Sequence, residues 1–186
     1  MTRTRIVPRA LERLLIVVVA LAIAVGVISL LSGGLLGGRD NPGVSTQQGP
    51  GVAYRDQGDA HLPAGAADPA YDSDPPTSGA HVLAPVTRDG ATLSDDQLLT
   101  ALGAGDVVLL YGTPQPPPGL AALATAVSGP FSPALAAGGG TALLARRPGV
   151  DGVIALAWTR MLRVSANDDA ALRAFAQFWL GRGASR

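Results

Sequence analysis

From Leu14 to Gly38 the chain carries no charged side chain, and the apolar part of that run is too long for the buried stripe of a surface helix. Leu14 to Leu31 alone are 18 residues, about 27 Å of helix at about 1.5 Å per residue, and extension to Leu36 covers a hydrocarbon core of about 30 Å. The run therefore predicts a membrane span over Leu14–Leu36. A cleaved secretory signal has a shorter apolar stretch and a small-x-small site, for which Ser32 to Gly34 is a poor candidate, so an uncleaved anchor is preferred to a signal peptide or a buried helix. Arg3, Arg5, Arg9 and Arg13 precede the span, while the next cation after it is Arg39. That asymmetry places residues 1–13 in the cytoplasm and the rest of the chain outside the cell membrane.

Residues 37–51 are rich in Gly, Pro, Gln and Asp and contain almost no large apolar side chain. Such a segment cannot bury enough surface to offset its ordering entropy, so it reads as a flexible tether. Apolar residues return with interpretable spacing from Val52, and 52–186 is expected to be one extracytoplasmic domain without internal repeats. All 14 basic residues are arginine, against 14 acids, so no excess of positive charge points to nucleic acid. The absence of cysteine removes disulfides, thiolate metal sites and cysteine nucleophiles together.

Within the domain, Ser94 and Gln97 stand in capping-box spacing ahead of Leu98, Leu99 and Leu102, predicting a helix that stops at Gly103. Asp106–Tyr111 is a continuous apolar, β-branched run, as expected of a central strand covered on both faces. Pro118 to Pro130 predicts a second helix with Leu120, Leu123, Ala124 and Val127 on its apolar side. The runs beginning at Thr141 and at Gly152 flank a Pro-Gly connection, and are expected to pair as a hairpin whose second strand is long and bulged. A last helix, capped by Ser165 or Asn167 and ended by Gly181 or Gly183, presents Leu172, Phe175, Phe178 and Trp179 to the core. The order predicts an α/β (α+β) fold, a two-layer domain with a small mixed sheet; a thioredoxin-like arrangement is the alternative, without dithiol chemistry.

The stretch Pro75-Pro76-Thr77-Ser78-Gly79-Ala80-His81 is stiff by composition. Prolines push their predecessors toward extended geometry, Gly79 is free to take a positive φ, and the Thr77 and Ser78 hydroxyls can bond nearby backbone. The expected consequence is a fixed direction for the His81 ring.

This motif, together with His61, Tyr71, the run ending at Tyr111, and Ala157-Trp158-Thr159-Arg160 before a terminal helix, resembles the bacterial domain-of-unknown-function family 3105, most of whose members are anchored outside the cytoplasm. The resemblance covers about Val52 to Gly183 and implies an architecture and a candidate site rather than a reaction. Its second signature, His-x-Leu-Glu-His-Gly, is replaced here by Thr100-Ala101-Leu102-Gly103-Ala104-Gly105, of which only Leu102 and Gly105 match. The binding candidates are then His61, Tyr71, Thr77, Ser78, Gly79 and His81. His61 and His81, the only imidazoles, are metal candidates for zinc or copper if Asp59, Asp72, Asp74 or Asp106 completes the set. With the signature lost, the preferred expectation is that His81 staples its loop through a backbone carbonyl or an aspartate and that no cofactor is bound.

Other chemistries are weaker still. Ser78 and His81 lack a Gly-x-Ser-x-Gly turn and a third member for hydrolysis, and the Gly138–Gly140 run lacks the Lys-Ser/Thr of a phosphate loop. Asp95-Asp96 and Asp168-Asp169 fall in first helical turns, where the dipole accounts for them. Trp158 and Trp179 read as core. The expected role is a non-catalytic binding or envelope-interaction module, held by the membrane through Leu14–Leu36, with an envelope protein or ligand as partner and no nucleic acid. The alternative is a divalent-metal-binding protein or degenerate enzyme using His61 and His81.

Overall fold

A computed structural model describes residues 48–164 and 169–184. The expected span, most of the tether and the capping candidates Ser165 and Asn167 lie outside the described residues. Among the described residues, no helix is long and apolar enough to cross a membrane.

Among the described residues, eight strands and four helices follow one another. Four short strands come first, β1 (Val52–Ala53), β2 (His61–Leu62), β3 (His81–Val82) and β4 (Ala91–Thr92). Then follow α1 (Asp95–Ala104), β5 (Val107–Tyr111), α2 (Leu120–Ser128), α3 (Pro133–Ala137), β6 (Ala142–Arg146), β7 (Val153–Ala157), β8 (Arg160–Val164) and α4 (Asp169–Trp179). The main sheet is mixed, ordered β1-β8-β7-β5-β6-β4, while β2 and β3 form a separate parallel pair. β6 runs parallel to β5 and to β4; β7 is antiparallel to β5 and β8.

β5 is central, as its sequence requires. Val107, Leu109 and Tyr111 join α2 and α4 in one core cluster, whereas Val108 and Leu110 join Leu98, Leu99 and Leu102 of α1 in the other. Alternate side chains of a strand point to opposite faces, so a wholly apolar strand demands cover on both. The domain accordingly has three layers, correcting the two-layer expectation. Each leucine buried this way contributes about 1.5–3 kcal/mol, and Leu109 and Leu110 are 0% and 2% exposed.

The expected hairpin between the runs at Thr141 and Gly152 does not form. β6 returns through the helical crossover α2–α3 and so lies parallel on one edge of β5, while the 147–152 connection passes over the end of β5 and delivers β7 to its other edge. Gly112 makes room for that passage, since a Cβ there would collide with the Val150 carbonyl. A Pro-Gly turn looks the same in sequence whether the strands beside it are neighbours or straddle a third. The hairpin lies instead inside the long second run, broken into β7 and β8 at Trp158-Thr159. Thr159 takes φ 59°, uncommon for a β-branched residue. Its backbone is held from both sides, its N–H donating to Thr77 O and its C=O accepting from Tyr54 N, each at 2.9 Å.

α1 begins as expected, with the reciprocal Ser94–Gln97 capping box, but ends two residues late at Gly105, φ 115°. Gly103 is therefore a buried residue of the last turn rather than the stop. At the other end of the domain, Pro50 O accepts from Trp179 Nε1 at 2.8 Å and Gly49 packs on Phe178 and Trp179. Packing thus extends upstream of Val52.

Candidate functional site

The stiff loop is more deeply placed than its polarity suggests: Pro75 to Gly79 are all buried, and the Asp74–Pro75 peptide is cis. Its polar groups are paired locally. The Ser78 hydroxyl donates to Arg55 O and accepts from Gln57 N, both at 3.1 Å, and Gly79 N donates to Gly58 O at 3.0 Å. Thr77 is held through the Thr159 N–H, and its hydroxyl lies 3.4 Å from that of Ser73. The Thr77 and Ser78 hydroxyls are thus tied into the loop that leads to His81.

Gly79 has φ 135°, and a Cβ there would stand 2.9 Å from the Tyr71 ring. Tyr71 lies across the loop and donates its hydroxyl to Ala80 O at 3.1 Å. Burial first, then the charges of Asp68, Asp96 and Asp95, push its phenol up to about 12, so it remains a neutral donor. Tyr71 and Gly79 frame the loop.

His81 is 1% exposed. Its Nδ1 lies 2.9 Å from Gly79 O, and because a carbonyl can only accept, Nδ1 carries the proton and Nε2 presents a lone pair. The same bond that staples the loop fixes the ring in the tautomer a metal ligand needs. The parallel register sets His61 opposite His81, with ring centroids 5.5 Å apart and an interplanar angle of 77°. Asp59 stands two residues before His61, just ahead of β2. One ligating atom from each of Asp59, His61 and His81 lies within 4.8 Å of the others.

Of the four aspartates considered as completing such a set, only Asp59 joins it. Asp74 pairs with Arg147 at 2.7 Å, and the same guanidinium reaches Asp95, also at 2.7 Å. Asp106 is buried at the start of β5 with Oδ1 accepting from Thr141 N at 2.9 Å. Burial pushes its carboxyl up to about 7 against the pull of that N–H. Asp96 does more than complement a helix dipole, since it accepts from Val82 N at 2.8 Å and clamps β3 onto α1.

The replaced second signature separates into three different jobs. Gly103 faces the trio, for a Cβ there would stand 3.1 Å from Asp59 Oδ1. Thr100 accepts from Ala84 N at 3.0 Å, and Ala104 lines a cavity beside the 83–86 segment. Sequence spacing did not reveal the Gly103–Asp59 contact, although the Asp-x-His pattern at 59–61 was a visible signal of two donors close together in the chain. Trp158 and Trp179 are core residues, 5% and 2% exposed.

No curated protein and no solved structure matches the chain. Asp59 and His61 precede the region that does match a family, and His81 lies inside it. Residues 66–185 match the family described as protein of unknown function DUF3105, and the chain belongs to that family.

Proposed function

We propose that this protein is a membrane-anchored, extracytoplasmic binding module whose Asp59, His61 and His81 side chains take up a divalent transition metal, zinc or copper. The convergence of these three donors within 4.8 Å carries the reading. Two imidazole nitrogens and one carboxylate oxygen suit borderline cations, and three protein ligands leave a position for water or a further ligand. At metal–ligand distances of about 2.0–2.1 Å, tetrahedral donors stand about 3.4 Å apart. Metal entry therefore draws the cluster inward. His61 is exposed, whereas His81 is held by its bond to Gly79 O.

The strand order β8-β7-β5-β6, with β7 antiparallel to the other three, supports a thioredoxin-like reading of the core. With no cysteine in the chain, that scaffold carries no dithiol chemistry. Anchoring and outside placement rest on the uncharged run Leu14–Leu36 and the arginines before it.

Calorimetric titration of the full chain in detergent micelles with zinc and with copper(II) tests the metal reading. Saturable binding at one ion per chain, lost in both His61→Ala and His81→Ala, is the expected result; no binding, or binding retained in both variants, overturns it. Protease added to spheroplasts tests the placement: a C-terminal tag should be removed, and a protected tag refutes the outside domain.

A further inference from the structure

The ladder that sets His61 opposite His81 is two residues long on each strand, and a short strand pair is marginal in water on its own. Its second support is α1. Along the segment that carries His81, backbone N–H groups point alternately to one side and the other, as in any strand. Gly79 N and His81 N donate to Gly58 O and Ala60 O, each at 3.0 Å, on the chain leading into β2. Val82 N and Ala84 N turn the other way and are received by side chains of α1, Asp96 Oδ1 at 2.8 Å and Thr100 Oγ1 at 3.0 Å. The helix thus offers β3 the acceptors that a third strand would have offered.

Asp96 and Thr100 are four residues apart and share one face of the helix. One helical turn, about 5.4 Å, and two strand residues, about 6.6 Å, are close enough for a pair of side chains to match. Gly103 continues the same stripe three residues on, where a Cβ would stand 3.1 Å from Asp59 Oδ1. α1 therefore meets both arms of the trio, the one carrying His81 by hydrogen bonds and the one carrying Asp59 by close approach. Helix formation itself does not ask for this stripe, since Ser94 and Gln97 make the cap and threonine is a weaker helix former than alanine.

We propose that Asp96 and Thr100 are positioning residues of the Asp59–His61–His81 site, holding β3 on α1 so that the donors stand converged before metal arrives. The assignment rests on the metal reading of the trio. Neither side chain is a ligand; each acts through a backbone N–H, Val82 directly after His81 and Ala84 two residues further on. A site already assembled in the metal-free chain spends less of its binding free energy on ordering its ligands. Val82 N needs an acceptor rather than a charge, so Asp96→Asn conserves the function and Asp96→Ala deletes it. Thr100→Ser and Thr100→Val form the corresponding pair.

The test is zinc calorimetry on the full chain in detergent micelles, at a temperature where every variant is folded, so that global stability does not enter the affinity. Asp96→Ala should bind zinc about tenfold more weakly, the worth of one hydrogen bond, and Thr100→Val about threefold, its partner being farther from His81. Asp96→Asn and Thr100→Ser should stay within about twofold of wild type by keeping the acceptor. Leu123→Ala, in the core cluster on the other face of the sheet, should lower the melting temperature and leave zinc affinity unchanged. Amide hydrogen exchange without metal reads the clamp directly: Val82 N–H should lose protection in Asp96→Ala, and Ala84 N–H in Thr100→Val. Should Asp96→Ala fail to fold, Thr100→Val keeps the side-chain shape and carries the test. A wild type that takes up no zinc removes the metal reading and this one together. Zinc binding that needs His61 and His81 but is equally tight in Asp96→Ala and Thr100→Val overturns the positioning role alone. Equal losses in Asp96→Ala and Asp96→Asn, a matching loss in Leu123→Ala, or unchanged Val82 exchange in Asp96→Ala overturn it as well.

Discussion

His61 and His81 face each other across the parallel β2–β3 ladder, rings 5.5 Å apart, yet one ring is exposed and the other 1% exposed. The inequality divides their roles. His81 supports the fold through its bond to Gly79 O and offers Nε2; His61, exposed on β2, offers a donor at the surface. His81→Ala should lower stability by about 1–3 kcal/mol, since it leaves a buried carbonyl unpaired and a void. His61→Ala should stay within about 0.5 kcal/mol of wild type, as exposed substitutions do. Denaturant unfolding without metal measures both. Added zinc should raise the melting temperature of wild type and of neither variant; a zinc-dependent rise in His61→Ala counts against the trio.

Gly79→Ala is expected to cost about 1–3 kcal/mol, because φ 135° is strained for any residue with a Cβ and the new methyl would meet the Tyr71 ring at 2.9 Å. The loss should appear in zinc affinity as well, since the Gly79 carbonyl holds the His81 tautomer. Near-wild-type unfolding of Gly79→Ala would show that the loop tolerates a different path.

Gly103→Ala separates stability from binding. Inside a helix the change from glycine to alanine favours folding by up to about 1 kcal/mol, but the added Cβ would crowd Asp59 Oδ1 at 3.1 Å. Thermal stability should be unchanged or higher while zinc affinity falls several-fold. Equal zinc affinity in calorimetry would mean that Asp59 does not ligate from its present position.

Asp106 makes a pH-dependent contribution of unusual sign. Its folded carboxyl titrates near 7, above the ordinary value of 3.8, so the folded state holds the proton more tightly than the unfolded chain does. Its stabilising effect is full below about pH 4 and is lost as pH rises through about 7, by up to about 4 kcal/mol over the window. Asp106→Asn should remove that component. Unfolding free energies between pH 4 and 8 should fall more steeply in wild type than in the variant; parallel curves would place the carboxyl's titration outside this range.

Much of the architecture was legible because it rests on local rules. The capping box at Ser94 and Gln97 and the apolar run of β5 each follow from interactions within a few residues, or from the demand that an apolar strand be covered. The stiff approach to His81 was legible too, since proline and glycine restrict the backbone wherever they stand. Strand partnership was not, because β6 and β7 carry the same apolar pattern whether they pair or straddle β5, and only the crossover through α2 and α3 decides between them. The late end of α1 is a choice between two glycines, made for Gly105 because its backbone meets Gly181, whose N–H donates to Gly105 O at 2.8 Å. The meeting of Asp59, His61 and His81 depends on segments far apart in the chain. Composition named the donors; the β2–β3 register and the packing of α1 decided which of them stand together.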